Sequence, residues 1–219
     1  MVNAMSDLGS AIARLTPGRP LLIVDADEVV LRFVDGFDKF LRANALFLDL
    51  TSYRLHGNVK RLDDQTAILD VEVTALLDDF RRDLDSLEAV EGAVETLSAL
   101  KPRLDVVMLT NITPAQAEPR LRNLKAIGLD LPLVANSGLK GPAIKALVAR
   151  AGRPAFFIDD IPQNLASSVE AAPDVYAIHL IGDDRLKPLL PPAAKAHLRA
   201  EHWRDAHAFI DSKLTEAGL

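Results

Sequence analysis

The sequence contains no cysteine, which excludes disulfides, thiolate-bound metals and a cysteine nucleophile together. Aromatic residues are scarce at 5%, while hydrophobic residues reach 49%, so the core is expected to be sizeable and aliphatic. No apolar run approaches the ~20 residues of a membrane span. Met1 to Leu15 lacks a basic start followed by an apolar block, so no secretory signal is read. A basic excess is missing too: 25 lysines and arginines against 31 acidic residues give a net charge of −6. Binding to nucleic acid or to an anionic membrane is therefore not expected. There is no internal repeat and no low-complexity tract. For 219 residues the expectation is a cytoplasmic protein made of one domain, or of a core domain with a modest insertion.

What is present centres on Leu21-Leu22-Ile23-Val24, four apolar residues that read as a strand buried on both faces, as in a parallel sheet. It runs directly into Asp25-Ala26-Asp27. On extended backbone that spacing lets both carboxylates point the same way. Two such charges ~4 Å apart repel by roughly 1 to 4 kcal/mol, so a cation is expected beside them. Two further strands behave alike. Residues 105–111 end in Thr110-Asn111, and residues 155–160 end in Asp159-Asp160.

The periodicity predicts a helix over 6–16, stopped by Pro17-Gly18, and a closing helix over 193–215 carrying Leu198, Trp203, Phe209 and Ile210. Between the flanking strands, helices are expected after Pro114, through Ile144 and Leu147, and after Pro162. Residues 131–135 form a weaker strand, and residues 175–180 are expected to be the last one. Residues 31–90 break the alternation. Phe33, Phe37, Phe40 and Leu41, and later Val73, Leu76, Leu77 and Phe80, recur at helical spacing, with no strong strand between.

The predicted fold class is therefore α/β: a Rossmann-like parallel sheet with helices on both faces, plus a small helical insert. The core is expected to comprise residues 1–30 and 91–219, and the insert residues 31–90. Parallel strands place their carboxyl ends on one edge. That edge gathers Asp25, Asp27, Thr110, Asn111, Asp159 and Asp160, with Lys140 from a loop entering a helix. Four carboxylates against one lysine call for a cation, and hard oxygen ligands favour magnesium over zinc. Magnesium, a lysine, and hydroxyl and amide donors together suit a transferring phosphoryl group.

In this setting the sequence resembles the haloacid dehalogenase superfamily, in particular its phosphatase-like members, from about Leu21 to Leu189. The motifs that carry the resemblance are Asp25-Ala26-Asp27-Glu28-Val29, Thr110-Asn111, Lys140 and Asp159-Asp160, in the family's order. Glu28 departs from it, standing where Gly, Thr or Asp is common. The resemblance implies a magnesium-dependent phosphomonoester hydrolase acting on a small phosphorylated metabolite. Asp25 would be the nucleophile, and Asp27 the acid and base. Thr110, the amides near Asn111, and Lys140 would hold phosphate. Magnesium would be bound by Asp25, the Asp27 carbonyl and Asp160, with Asp159 acting through water.

It also implies that the insert is a cap that selects substrates, where Arg54, His56 and Arg61 are candidates to grip an anionic leaving group. Phosphoryl transfer within a sugar phosphate, and a catalytically silent binding or regulatory protein, are the alternatives. Phosphonate cleavage would need a cap lysine, and Lys39 and Lys60 are the only two in the insert.

Overall fold

A computed structural model describes residues 7–219 of the chain. Ser6, the expected start of the first helix, and the remainder of residues 1–6 of the expected core lie outside the described residues. The first elements are α1 (Leu8–Arg14), β1 (Leu21–Val24), α2 (Phe33–Ala43), β2 (Leu46–Leu48), β3 (Val59–Arg61) and α3 (Asp70–Phe80). There follow α4 (Ala93–Leu100), β4 (Asp105–Asn111), α5 (Pro114–Ala126), β5 (Leu133–Asn136) and α6 (Gly141–Arg150). The chain closes with β6 (Ala155–Asp159), α7 (Pro162–Ala171), β7 (Val175–Leu180), β8 (Leu198–Ala200) and α8 (Trp203–Glu216).

All four residues of β1 are fully buried, as a central parallel strand covered on both faces requires. The sheet order is β5-β4-β1-β6-β7-β8, and every adjacent pair is parallel. Alternate residues of β1 serve opposite layers. Leu22 and Val24 join a cluster with Leu97, Trp203 and Ile210 of α4 and α8. Leu21 and Ile23 join another with Ala11, Ile144 and Leu165 of α1, α6 and α7. No helix among the described residues is long and apolar enough to cross a membrane.

The insert is not wholly helical. β2 and β3 pair antiparallel, Leu46 with Arg61 and Leu48 with Val59. Strands of three residues separated by a long connection leave too little alternation to read. The Asp38 carboxylate of α2 accepts a hydrogen bond from the Leu48 amide at 2.9 Å, which fastens the hairpin to the helix. Phe33, Phe37 and Phe40 of α2 surround Phe80 of α3, with centroid distances of 5.2, 5.4 and 5.6 Å. This aromatic group is continuous with the apolar layer under the sheet.

The two connectors of the insert run side by side. Leu31 bridges Ala89, the Arg32 amide donates to the Glu88 carbonyl at 2.9 Å, and the Val90 amide donates to Val30 at 2.8 Å.

The expected closing helix starts late. Residues 198–200 form β8 beside β7, so β7 is not the last strand, and α8 begins only at Trp203. Asp205 accepts from the Glu201 and His202 amides and fixes that start. Trp203 is a packing residue with one further task. Its buried indole N–H donates to the Val29 carbonyl at 2.8 Å, holding the turn that follows Asp27.

Candidate active site

Register decides which side chains meet. Val24 pairs with Met108 on one side and Ile158 on the other, so Asp25 stands level with Leu109 and Asp159. The backbone amide of Asp25 donates to Ile158 at 2.9 Å. Lys140 caps the start of α6 and turns its side chain back to the sheet. A Cβ added to Gly141 would lie 2.4 Å from the Ser167 carbonyl oxygen, so only glycine lets α6 approach α7 this closely. That approach seats the lysine. The buried Lys140 Nζ lies 2.5 Å from Asp25 Oδ1 and 2.7 Å from Asp159 Oδ2.

Asp159 is further held by the Ile161 amide at 2.8 Å and by the Asn164 side-chain amide at 3.1 Å. Asp160 points elsewhere. It accepts a hydrogen bond from the Tyr53 hydroxyl, which reaches in from the insert. The Asp160 carbonyl accepts from His179 Nε2 at 3.0 Å, while the Ala193 amide donates to Nδ1 at 3.3 Å. That pattern makes His179 a neutral imidazole with its proton on Nε2, in keeping with burial lowering its pKa.

Oxygen atoms of Asp25, Asp159 and Asp160 all lie within 4.8 Å of one another. Three buried carboxylates against one ammonium leave two formal negative charges, and every donor is a hard oxygen. The set can hold a metal ion. Burial works against the Lys140 ammonium, but Asp159 and Asp25 outweigh it and raise its pKa. Burial pushes Asp159 up to about 6 against the pull of Lys140. Burial, and then the charges of Asp159 and Asp25, push Asp160 well above the usual carboxylate range.

Asp27 stands apart from the triad. Arg120 of α5, with no solvent exposure, donates from Nη2 to Asp27 Oδ1 at 2.6 Å, and its Nε and Nη1 have no partner. Burial, and secondarily the Asp25 charge, raise Asp27, while Arg120 and Arg81 pull it down. A cavity of about 200 Å³ opens beside Asp27 and Asp160, walled by Tyr53, Arg54 and Arg81 of the insert. A larger groove of about 510 Å³, lined by Tyr176, His197 and Lys213, includes none of these acids.

The structure therefore brings together Asp25, Lys140, Asp159 and Asp160, with Asp27 at the edge of the set. Thr110 is buried at the end of β4. The Asn111 side chain is engaged with its own loop, donating to the Gly138 carbonyl at 3.1 Å and accepting from Asn136 at 2.7 Å. Of the insert candidates, Arg54 lines the cavity. His56 and Arg61 do not: His56 bonds Thr74 at 2.9 Å, and Arg61 faces Glu72 at 3.7 Å. Sequence reasoning missed Tyr53, Arg81, Arg120, Asn164 and His179. For Arg120 a signal existed, because it shares the buried face of α5 with Ala117 and Leu124 at helical spacing.

Glu28 follows Asp27 in the turn after β1. It is buried in the left-handed region at φ 59°, a conformation that costs about 1 kcal/mol for a residue with a Cβ. The Val34 amide donates to its Oε1 at 2.6 Å, and Oε2 has no partner. Burial, opposed by that amide, pushes Glu28 up to about 8 from its ordinary 4.5. Glu28 and Asp159 thus titrate higher in the folded chain than in the unfolded one. The native state binds more protons between those values, so the metal-free protein is expected to lose stability as pH rises from 4.5 to 8. Glu28→Gln is expected to flatten the part of the decline between pH 6 and 8. Urea midpoints at pH 5, 6 and 8 check this, and a wild-type midpoint that rises across the range would contradict it.

No protein-family model matches the sequence, and no curated protein matches it. Solved structures do match. One is a haloacid dehalogenase family hydrolase from Deinococcus radiodurans R1 with bound phosphate and sodium. It is 20% identical, covers 93% of this chain and 98% of that one, and superposes with a TM-score of 0.55. Another, from Bacillus subtilis, is described as a haloacid dehalogenase hydrolase bound to magnesium. It is 15% identical over 90% of this chain and 100% of that one, with a TM-score of 0.58. A third is a dehalogenase, 14% identical over 89% of this chain and 98% of its own, with a TM-score of 0.59. The six-stranded parallel sheet and its flanking helices are the fold of the haloacid dehalogenase hydrolases.

Proposed function

We propose that the protein is a magnesium-dependent phosphomonoester hydrolase that works through an aspartyl-phosphate on Asp25, with residues 31–90 as a cap over the site. The observation that carries this reading is the buried Lys140 bridging Asp25 and Asp159, with Asp160 completing an oxygen-only triad. Asp25, Asp160 and the Asp27 carbonyl would hold the ion, with Asp159 behind them. When bound, magnesium would neutralise charge on the phosphoryl oxygens.

Lys140 orients the Asp25 carboxylate and offsets its charge. An oxygen of Asp25 attacks phosphorus, the ester P–O bond breaks, and the departing oxygen takes a proton from Asp27. Asp27 then takes a proton from water, whose oxygen attacks phosphorus, and the bond to Asp25 breaks to release phosphate. Thr110 and the amides near Asn111 donate to the phosphoryl oxygens.

Arg120 is a positioning residue: it fixes the Asp27 carboxylate from below and lies too deep to touch substrate. Asp27 supports hydrolysis over dehalogenation, which needs no acid at that position. Phosphonate cleavage lacks its lysine at the cavity. Lys39 pairs with Glu88 at 2.6 Å and Asp35 at 3.0 Å, and Lys60 pairs with Asp49 at 2.6 Å.

Hydrolysis of p-nitrophenyl phosphate with and without magnesium is the direct assay, and net phosphate release separates hydrolysis from transfer. Asp25→Asn is expected to cut turnover on the order of 10³-fold or more while leaving the thermal unfolding transition cooperative. Retained turnover would show that another group is the nucleophile. Arg120→Met is expected to slow an alkyl phosphate on the order of 10²-fold. It should slow p-nitrophenyl phosphate far less, because nitrophenolate departs without a proton. Equal losses on both esters would reduce Arg120 to a packing role.

A further inference from the structure

The cavity beside Asp27 carries two arginines without carboxylate partners. Among the described residues neither Arg54 nor Arg81 forms a salt bridge or a side-chain hydrogen bond. The nearby Arg61 and Arg82 differ, being paired with Glu72 and Asp79. Arg54 arrives from the connection between β2 and β3, and Arg81 from the end of α3, yet both line the same space. Arg81 is steadied by the Phe33 ring, whose centroid lies 5.7 Å from its guanidinium carbon. Guanidinium groups left unpaired at a cavity wall are suited to planar, two-point recognition of carboxylate or phosphate.

Val34, Leu50, Leu55 and Leu186 give the space apolar walls, and Tyr53 and three acids, Asp27, Glu28 and Asp160, line the rest of it. A space of about 200 Å³ is some seven water volumes at ~30 Å³ each, below the ~300 Å³ at which drug-sized pockets begin. That volume suits one ring or a short branched chain. An acid that protonates the departing oxygen must lie between the phosphoryl group and the rest of the alcohol, so the space beyond Asp27 belongs to the alcohol.

We propose that this cavity is the leaving-group subsite, and that the substrate is a phosphate ester of a small, ring-sized apolar alcohol bearing a second anionic group clamped by Arg54 and Arg81. The inference rests on the phosphatase reading. It corrects the set expected from sequence, keeping Arg54, replacing His56 and Arg61 by Arg81, and adding an apolar body between the two charges.

Three matched esters test it: phenyl phosphate, 4-carboxyphenyl phosphate and 1,4-phenylene bisphosphate. The wild-type protein is expected to favour one charged ester over phenyl phosphate by about tenfold or more in kcat/KM, the size of a single charge-assisted hydrogen bond. Which of the two it favours identifies the anion as carboxylate or phosphate. Arg54→Met and Arg81→Met are each expected to shrink that ratio severalfold. Equal ratios in wild type and variants would overturn the subsite and leave the phosphatase standing.

Calorimetric binding of 4-hydroxybenzoate and the non-hydrolysable 4-hydroxyphenylphosphonate against phenol, to wild type and to the double variant, needs no turnover. Arginine-dependent binding without hydrolysis of any ester would remove the phosphatase reading and keep the subsite. No preference over phenol in any arm would overturn the subsite.

Discussion

The contact on which the site depends is the Lys140 ammonium, held 2.5 Å from Asp25 and 2.7 Å from Asp159 with almost no access to water. A buried charge is tolerated only when paired, and breaking such a pair leaves its partner uncompensated. Here the pairing is lopsided, because Asp160 adds a third carboxylate that the lysine does not reach. The protein has thus built a surplus of negative charge into the centre of its sheet edge. The surrounding structure serves to keep it there. Gly141 lets α6 close on α7, Asn164 and the Ile161 amide fix Asp159, and His179 fixes the backbone of Asp160.

Core and insert meet at that edge through polar contacts of different kinds. Tyr53 donates to Asp160, and burial together with the Asp160 charge raises its pKa, so the hydroxyl stays protonated. Arg54 and Arg81 face the same cavity without partners. The insert is held to the core by more than these contacts. Phe33, Phe37 and Phe80 share one apolar cluster with Leu22 and Val24, and its two connectors pair with each other. The cavity wall is therefore set by the same packing that supports β1.

Much of this was legible in the sequence because the core obeys simple periodicities. Apolar runs such as Leu21–Val24 and Ala155–Ile158 admit few other readings, and parallel strands bring their ends to one edge whatever the details. What escaped lacked a period. The β2–β3 hairpin has three residues per strand, and β8 sits behind Pro191-Pro192 in a stretch that looked helical. Tyr53 and Arg81 act from an irregular connection and a helix end, where no repeat marks their direction. Arg120 was readable as a charge on the buried stripe of α5, yet its partner Asp27 lies 93 residues away in sequence and appears only when the chain is folded.

The central claim is that the surplus charge at Asp25, Asp159 and Asp160 exists to hold a divalent cation. Crystals grown with Mn²⁺ and measured for anomalous scattering test it most directly. One strong peak is expected within coordination distance of Asp25 and Asp160, with Lys140 still on Asp159. A map with no peak there, collected at saturating Mn²⁺, would contradict it.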